Sequence, residues 1–209
     1  MADRQHIRYD EIVRIVEPGS KVLDLGCGDG ELLLRLRNEK GIIGRGVEIE
    51  EEMILQCISK GISVFQGNLD EGLKDYGTKS YDYVILNQTL QVIRMPLMII
   101  DEMLRVGRRA IVSFPNFGYV VTRLQLLTSG RMPVNRELPY QWYDTPNIHL
   151  CTRRDFLVLC RELGISILQE VALQNERRVS GPWKNVLATE VCFVLERAAA
   201  ARSDAGAGL

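Results

Sequence analysis

The sequence contains few of the residues that build metal sites and disulfide frameworks. Its 209 residues include 5 cysteines, scattered and without a C-x-x-C pair, and only 2 histidines, His6 and His149. Such a set argues against a structural zinc site and against a disulfide framework, and it fits a reducing compartment. We therefore expect no bound metal and a cytoplasmic location.

Long apolar runs and an excess of charge of either sign are also absent. No stretch approaches the roughly 20 apolar residues of a membrane-spanning helix, and the N-terminal residues are polar rather than signal-like. The formal net charge is -1, so the chain lacks the basic footprint of a nucleic-acid-binding protein. The sequence therefore predicts neither a membrane nor a nucleic acid as partner.

One stretch organises the rest of the chain, a short apolar run that ends in alternating glycines. Residues 21–25 predict a buried strand, three glycines follow at Gly26, Gly28 and Gly30, and a helical pattern begins after them. Strand, glycine turn and helix open a nucleotide-binding α/β domain, because glycines let a ligand approach the backbone and the helix start offers free N–H groups. The stretch therefore predicts a site for a nucleotide or nucleoside.

Two carboxylates and one bulky residue narrow the choice of ligand. The dinucleotide fingerprint G-x-G-x-x-G/A needs a small residue where this chain has Glu31, which argues against NAD. Asp24 precedes the glycines, and Glu48 follows the next predicted strand at 42–47, roughly 20 residues after Gly28, as a ribose-binding carboxylate does. Such a carboxylate can accept hydrogen bonds from both ribose hydroxyls. A tight turn with a surface Glu is the alternative.

This stretch resembles motif I of the class I S-adenosylmethionine (SAM) methyltransferases. The resemblance implies an α/β, Rossmann-like fold with a mostly parallel seven-stranded sheet whose last strand is antiparallel. It also implies that the glycine loop backs the amino-acid end of SAM or S-adenosylhomocysteine (SAH), and that the carboxylate after the second strand holds the ribose. The cofactor-binding residues expected on this basis are Asp24, Gly26, Cys27, Gly28, Gly30, Glu48, Asn68, Leu69 and Asn87.

The ends of the third and fourth predicted strands supply the last three of these residues. In the methyltransferases an Asp that faces the adenine amino group often follows the third strand, but here Asn68 stands there and accepts a hydrogen bond without charge. Asp70 is a substitute for that contact or a helix cap, and Leu69 is placed to pack on the adenine. Asn87 begins a polar stretch after the fourth strand, where ligands of open α/β sheets bind.

An insert at about 115–150 is the unusual part of the chain. Aromatic residues, arginines and prolines concentrate there, a composition typical of a substrate lid or a protein interface. A decorated loop that packs on its own domain is the alternative. The only clustered candidates for a catalytic base also lie in the insert, and no catalytic residue is assigned among them: Tyr140, Tyr143, Asp144 and His149.

The remaining pattern predicts one domain over 1–197 and an unordered tail over 198–209. Periodicity and turn residues predict helices at 4–17, 50–60, 95–105, 120–127 and 152–163, and further strands at 63–66, 81–86, 109–114, 166–173 and 187–195. This alternation of helices and strands is that of a doubly wound sheet.

Four stretches resemble the MetW family of bacterial methionine-biosynthesis proteins: VLDLGCGDG at 22–30, QTLQ at 88–91, FPNFG at 114–118 and LPYQWYDTPNIHLCT at 138–152. The family implies the same fold and a role beside a partner, the homoserine O-acyltransferase MetX, in methionine synthesis. Two hypotheses follow. The chain is a SAM- or SAH-binding subunit that activates the acyltransferase, which the family role favours, or an active methyltransferase on an unidentified small-molecule acceptor.

Overall fold

Helices and strands alternate along the chain as in a doubly wound α/β protein. The computed structural model describes residues 2–135, 138–175 and 177–198, with side chains from residue 9 onward. The helices are α1 (Ala2–Ile15), α2 (Glu31–Lys40), α3 (Glu51–Ser59), α4 (Pro96–Val106), α5 (Val120–Ser129), α6 (Arg153–Glu162) and α7 (Lys184–Leu187). The strands are β1 (Lys21–Leu25), β2 (Ile43–Glu48), β3 (Val64–Gln66), β4 (Tyr81–Asn87), β5 (Gly107–Pro115), β6 (Ile165–Gln174), β7 (Arg177–Arg178) and β8 (Glu190–Arg197).

The described strands form one eight-stranded sheet in the order β3-β2-β1-β4-β5-β8-β6-β7. Strands β1 to β5 are parallel to one another, and β8 lies antiparallel between β5 and β6. The predicted Rossmann-like sheet with an antiparallel last strand is confirmed, but the predicted number of seven strands is wrong. The extra strand β7 is two residues long and pairs with the end of β6. A strand that short has no period by which a sequence could reveal it.

Predicted and observed boundaries agree within two residues except at the last strand. That strand begins at Glu190 instead of residue 187, because the chain first makes the short helix α7. The N–H groups of Val186 and Leu187 both donate to the carbonyl of Trp183, which closes this helical turn. The tail expected over 198–209 lies outside the described residues from 199 onward.

Two apolar layers, one on each face of the sheet, hold the helices. One layer packs the strands against α1 and α2 through side chains such as Ile12 and Leu36. The other packs them against α4 and α6, where the ring of Phe156 lies 5.0 Å from that of Phe114 and 4.9 Å from that of Phe193. Because both faces are covered, the carboxyl ends of the strands are left as the place for a ligand. None of the described helices is long and apolar enough to cross a lipid bilayer.

The chain between β5 and α6 leaves the sheet and returns to it at one point. The N–H of Phe117 donates to the carbonyl of Cys151 at 3.1 Å, so the two ends of the insert lie side by side. Strand β5 continues to Pro115, and the insert therefore takes up residues 119–150 rather than the predicted 115–150. Farther along, the N–H groups of Ile148 and His149 donate to the carbonyl of Gln91 at 2.9 and 3.1 Å. The insert is therefore tied to the domain at its base and again near its end.

A single buried side chain, Asn116, organises the base of the insert. It is 3% exposed. Its side-chain oxygen accepts from the N–H groups of Gly118 and Arg153, both within 3.1 Å. Its amide donates to the carbonyls of Asn185 and Ala188 at 3.1 and 2.8 Å. One side chain thus joins the start of the insert, the start of α6 and the loop before β8.

Candidate functional site

A cleft opens at the carboxyl ends of β1, β2 and β4, where the sequence predicts the ligand site. It consists of two cavities of about 420 and about 330 Å³, which share Gly26 and Thr89 in their walls. The first, the loop cavity, is lined by Tyr9, Asp24, Gly26, Cys27, Gly28, Asp29, Leu32, Met53, Gln56, Asn87, Gln88 and Thr89. The second, the strand cavity, is lined by Gly26, Val47, Glu48, Ile49, Glu50, Gly67, Asn68, Leu69, Asp70, Thr89, Val92 and Ile93. Each cavity has the size typical of a small-molecule site.

The glycine turn between β1 and α2 has the conformation that the sequence predicts. Gly26, Gly28 and Gly30 have φ values of 68°, 54° and 77°, in the left-handed region that glycine favours. A Cβ at Gly26 would lie 2.9 Å from Cγ2 and from Oγ1 of Thr89. A side chain at this position would therefore press on the wall that the two cavities share.

Two residues of the α3 region fix the far side of the turn. The ammonium of Lys60 donates to Asp29 at 2.7 Å and to Glu31 at 3.3 Å, and the thiol of Cys57 donates to the carbonyl of Gly28 at 3.1 Å. No local pattern in the sequence marks either residue, because each contact joins residues about 30 positions apart. The turn is thus held by side chains that meet it only in the folded chain.

Cys27, inside the turn, is a packing residue. Its Sγ lies 3.9 Å from Sγ of Cys57, and a Cβ at Gly46 would lie 2.3 Å from it, so the thiol occupies the space beside that glycine. Burial raises the pKa of the Cys27 thiol far above its usual range. A neutral, enclosed thiol is a poor nucleophile. Cys27 therefore lines the loop cavity and is not a candidate nucleophile.

Glu48 is buried, and the backbone around it already uses its carboxylate. Oε2 accepts from the N–H of Gly28 at 2.8 Å, and Oε1 accepts from the N–H groups of Ile49 and Glu50 at 2.7 and 3.1 Å. The side chain thereby joins the glycine turn to the start of α3. A carboxylate has about four lone-pair positions, so one remains here for a ligand hydroxyl. The predicted contact to both ribose hydroxyls stays a prediction.

Asp24 is the most unusual side chain of the cleft. It is 2% exposed, lines the loop cavity and has one oxygen, Oδ1, without a hydrogen-bond partner. Burial and, to a lesser extent, the charge of Glu48 raise the pKa of the Asp24 carboxyl to about 8. A cationic N–H group of a ligand would provide the opposite charge that this carboxyl lacks. The electrostatics of the loop cavity therefore favour a ligand with an ammonium group.

We expect Asp24 to make the protein less stable as the pH rises between about 4 and about 8. Its folded-state pKa of about 8 lies above the value of about 3.9 in an unfolded chain, so the folded state binds more protons in this window. The free energy of unfolding should therefore decrease by about 1 kcal/mol per pH unit relative to Asp24→Asn. Urea denaturation across this range measures the difference, with the exposed Asp75→Asn as control. Parallel profiles for the wild type and Asp24→Asn would contradict the expectation.

The three residues predicted at the adenine end, Asn68, Leu69 and Asp70, do line the strand cavity. The side-chain oxygen of Asn68 accepts from the N–H of Asp70 at 3.1 Å. Oδ1 of Asp70 accepts from the N–H groups of Arg94 and Met95, at 2.9 and 3.2 Å, in the turn that leads into α4. Both polar side chains therefore stabilise local turns, and their contact with an adenine stays a prediction.

A polar cluster holds the carboxyl end of β4, where the sequence places Asn87. The hydroxyl of Ser113 donates to the side-chain oxygen of Asn87 at 2.6 Å. Gln88 has a φ of 56°, uncommon for a residue other than glycine, and its side-chain amide donates to Glu190 at 3.5 Å. Strained backbone of this kind is often found at ligand sites. Asn87 and Gln88 both line the loop cavity.

The four candidates for a catalytic base lie outside the cleft. All four are exposed, and none lines the loop cavity or the strand cavity: Tyr140, Tyr143, Asp144 and His149. His149 instead lines a separate cavity of about 300 Å³ whose wall is formed by α4, α6 and the insert. The structure therefore brings no support for a base from the insert.

Two wall residues of the loop cavity, Met53 and Gln56, carry no signal in the sequence. They lie three positions apart on α3, so both project from one face of that helix. The sequence predicts the helix but not which face meets the glycine turn. Thr89 belongs to the polar stretch predicted after the fourth strand, and its contact with Gly26 appears only in the structure.

Comparison with known proteins gives this geometry a family context. The family model described as "Methionine biosynthesis protein MetW" matches residues 6–195. The bifunctional methionine biosynthesis protein MetXA/MetW of Rhodopirellula baltica is 40% identical over 175 residues, which cover 79% of this chain and 28% of that protein. The chain thus spans less than a third of the length of this relative.

Solved structures with the same fold are more distant in sequence. A SAM-dependent methyltransferase from Archaeoglobus fulgidus matches with a TM-score of 0.66 and 16% identity over 93% of this chain and 94% of that one. Magnesium protoporphyrin IX methyltransferase from Synechocystis, solved with bound SAH, matches with a TM-score of 0.65 and 21% identity over 92% and 84%. At these identities the likeness shows the class I methyltransferase fold.

Proposed function

Since the chain belongs to the MetW family of methionine biosynthesis proteins, we propose that it binds SAM or SAH in the cleft and regulates a MetX-type homoserine O-acyltransferase. The observation that carries the ligand is Asp24, a buried carboxyl with an unpartnered oxygen beside a glycine turn. The observation that supports the partner is the relative from Rhodopirellula baltica, whose name joins MetXA and MetW in one chain. Fusion raises the effective concentration of two domains that act together.

The residues that line the cleft support SAM or SAH as its ligand. Asp24 would accept from the ammonium of the amino-acid end, and Glu48 would accept from a ribose hydroxyl with its remaining lone pair. In the strand cavity, Leu69 and Val92 would give the adenine apolar walls. Bound SAM supplies an activated methyl group and SAH supplies none, so a regulatory site can use either.

Regulation suits this cleft better than catalysis does. Methyl transfer to an oxygen or nitrogen needs an acceptor held in line and in many cases a base within hydrogen-bond reach. The candidate bases of the insert are exposed and lie outside both cavities. These positions support a nucleoside-binding role for the cleft more than a catalytic one.

An active methyltransferase is the second candidate, and Gln88 is the observation that favours it. Its strained backbone lies at the carboxyl end of β4, beside the loop cavity, where an acceptor could meet the methyl group of SAM. Release of SAH from SAM in the presence of candidate acceptors would support this function.

Calorimetric titration with SAH, repeated with the acyltransferase from the same organism present, tests the proposal. We expect the affinity for SAH to change at least about fivefold when the partner is present, as a coupling free energy of about 1 kcal/mol implies. By linkage, saturating SAH should change the affinity for the acyltransferase by the same factor. Gly26→Val is the control, because its side chain would press on Thr89 and should abolish SAH binding.

The outcomes separate the two halves of the proposal. If neither SAH nor SAM binds, the proposed ligand is wrong. Binding of the ligand that the acyltransferase leaves unchanged contradicts regulation through this cleft. Turnover of SAM with a methylated product would move the assignment to the second candidate.

A further inference from the structure

We propose that the exposed apolar face of the insert is the surface that docks the acyltransferase, an inference that rests on the proposed function. The docking surface consists of six exposed side chains: Val121, Leu124, Leu127, Tyr140, Trp142 and Tyr143. Nearly half of the large apolar side chains that are exposed among the described residues lie between residues 121 and 150. This concentration in about a seventh of the chain favours the insert as an interaction site.

Helix α5 shows an apolar stripe toward solvent. Val121, Leu124 and Leu127 recur every three residues, so they share one face, and Leu127 is 80% exposed. On the other side of the helix, Thr122 is buried and its hydroxyl accepts from the side chain of Asn135 at 3.1 Å. The helix is therefore oriented with its apolar face outward by contacts on its other face.

The chain after α5 adds aromatic side chains of the kind that anchor protein interfaces. Trp142 is 71% exposed, and its ring meets that of Tyr143 edge to face with centroids 5.5 Å apart. From residue 119 to residue 150 the sequence has no lysine, one Asp and one Glu, but three arginines. Enrichment in aromatics and Arg with depletion of Lys, Glu and Asp is the composition of an interface core.

The occupant that these features fit is the acyltransferase rather than a small ligand. The stripe and the aromatic pair are exposed and line none of the three cavities described above, whereas a small ligand needs a concave site. The relative whose name joins MetXA and MetW has most of its length outside the part that this chain matches, so a second folded unit shares that polypeptide. A second copy of this chain is the competing occupant, and the experiment below distinguishes it.

The docking surface also connects to the cleft through one segment of chain. The carbonyl of Gln91 accepts from the N–H groups of Ile148 and His149 in the insert. Thr89, two residues earlier, borders both cavities, and Val92, one residue later, lines the strand cavity. A shift of this segment on binding SAH would therefore change the base of the docking surface, which gives the coupling a physical route.

The two tryptophans of the chain provide a matched test. Trp142 lies in the docking surface, and Trp183 is 64% exposed at the start of α7, outside it. We expect Trp142→Ala to weaken binding of the acyltransferase at least about 30-fold, as loss of an interface anchor does. Trp183→Ala should change it less than about twofold. Both variants should bind SAH as the wild type does, because neither residue lines the cleft.

Tryptophan fluorescence gives a second readout, which reports binding even if no variant loses affinity. In Trp183→Phe, Trp142 is the single indole, and its emission should shift to shorter wavelength when the acyltransferase is added. In Trp142→Phe the emission should stay unchanged. The interface lies elsewhere if the emission shifts in Trp142→Phe but not in Trp183→Phe, or if the wild type and Trp142→Ala bind the acyltransferase with equal affinity. Either result would leave the proposed function intact.

Two further outcomes overturn the inference in different ways. If the wild type binds SAH but does not bind the acyltransferase, the partner in the proposed function is wrong, and so is the inference that the docking surface binds it. If the chain alone forms a dimer by light scattering that Trp142→Ala dissociates and Trp183→Ala does not, the surface joins two copies of this chain.

Discussion

Glu48→Ala should weaken SAH binding at least about 100-fold and lower the free energy of unfolding by about 3 kcal/mol. The carboxylate accepts from three backbone N–H groups, those of Gly28, Ile49 and Glu50. Hydrogen bonds to a charged group contribute about 1.5–3 kcal/mol each, and water entering the open cleft would replace part of that. Because one of the three donors belongs to the glycine turn, the turn should lose its position when the carboxylate is removed.

Two companion variants give the Glu48 result its meaning. Glu48→Gln keeps the size but has one accepting oxygen instead of two, so its effects should lie between those of the wild type and alanine. Glu52→Ala removes an exposed carboxylate from the first turn of α3 and should change stability by less than about 1 kcal/mol. Calorimetry and urea denaturation measure both quantities. If Glu48→Ala binds SAH within threefold of the Glu52→Ala value, Glu48 does not organise the site.

Asn116→Ala should lower the free energy of unfolding by about 4 kcal/mol. Its amide satisfies four backbone groups in a buried site, and each buried group left without a partner costs about 1–3 kcal/mol. Water cannot take its place easily, since the residue is 3% exposed. The free energies come from urea denaturation of purified wild type and variant.

The control for Asn116 is Asn38→Ala, an exposed asparagine on α2 where alanine is the better helix former. It should leave stability unchanged or raise it slightly. At temperatures where Asn116→Ala is folded, we expect it to keep its affinity for SAH and to lose affinity for the acyltransferase. The reason is that the four hydrogen bonds of Asn116, which we call the clamp, hold the base of the insert and not the cleft. A variant that unfolds at the same urea concentration as the wild type would show that the clamp is dispensable.

The parts of the site that sequence predicts are those encoded by neighbours in the chain. The glycine turn follows from three glycines within five residues, and Gly26, Gly28 and Gly30 have positive φ angles in the structure. Glu48 is predicted from its distance to that turn along a strand–helix–strand unit, and it lines the strand cavity, while its contact with a ligand stays a prediction. The mostly parallel sheet with an antiparallel last strand is what the resemblance to the methyltransferases implies, whereas the order of the strands comes from the structure alone.

What the sequence could not predict depends on contacts between distant residues. The partners of Asn116 lie near residues 153, 185 and 188, so no local pattern marks it as a clamp. The strand β7 and the helix α7 are too short to have a period, and they account for the wrong strand count and the late start of β8. The unpaired oxygen of Asp24 depends on packing from several elements, which composition does not encode.

Because the insert is closed at its base, the docking of a partner and the binding of a ligand can change separately in evolution. Because the N–H of Phe117 donates to the carbonyl of Cys151 at the base of the insert, the loop between them can change in length at little cost to the positions of β5 and α6. The docking surface can therefore be replaced as a whole, by lengthening, shortening or grafting a single segment of the chain. The cleft is assembled from the ends of several strands and from α3, so it can be altered only one residue at a time. A chain built in this way can acquire a new partner while it keeps an old ligand.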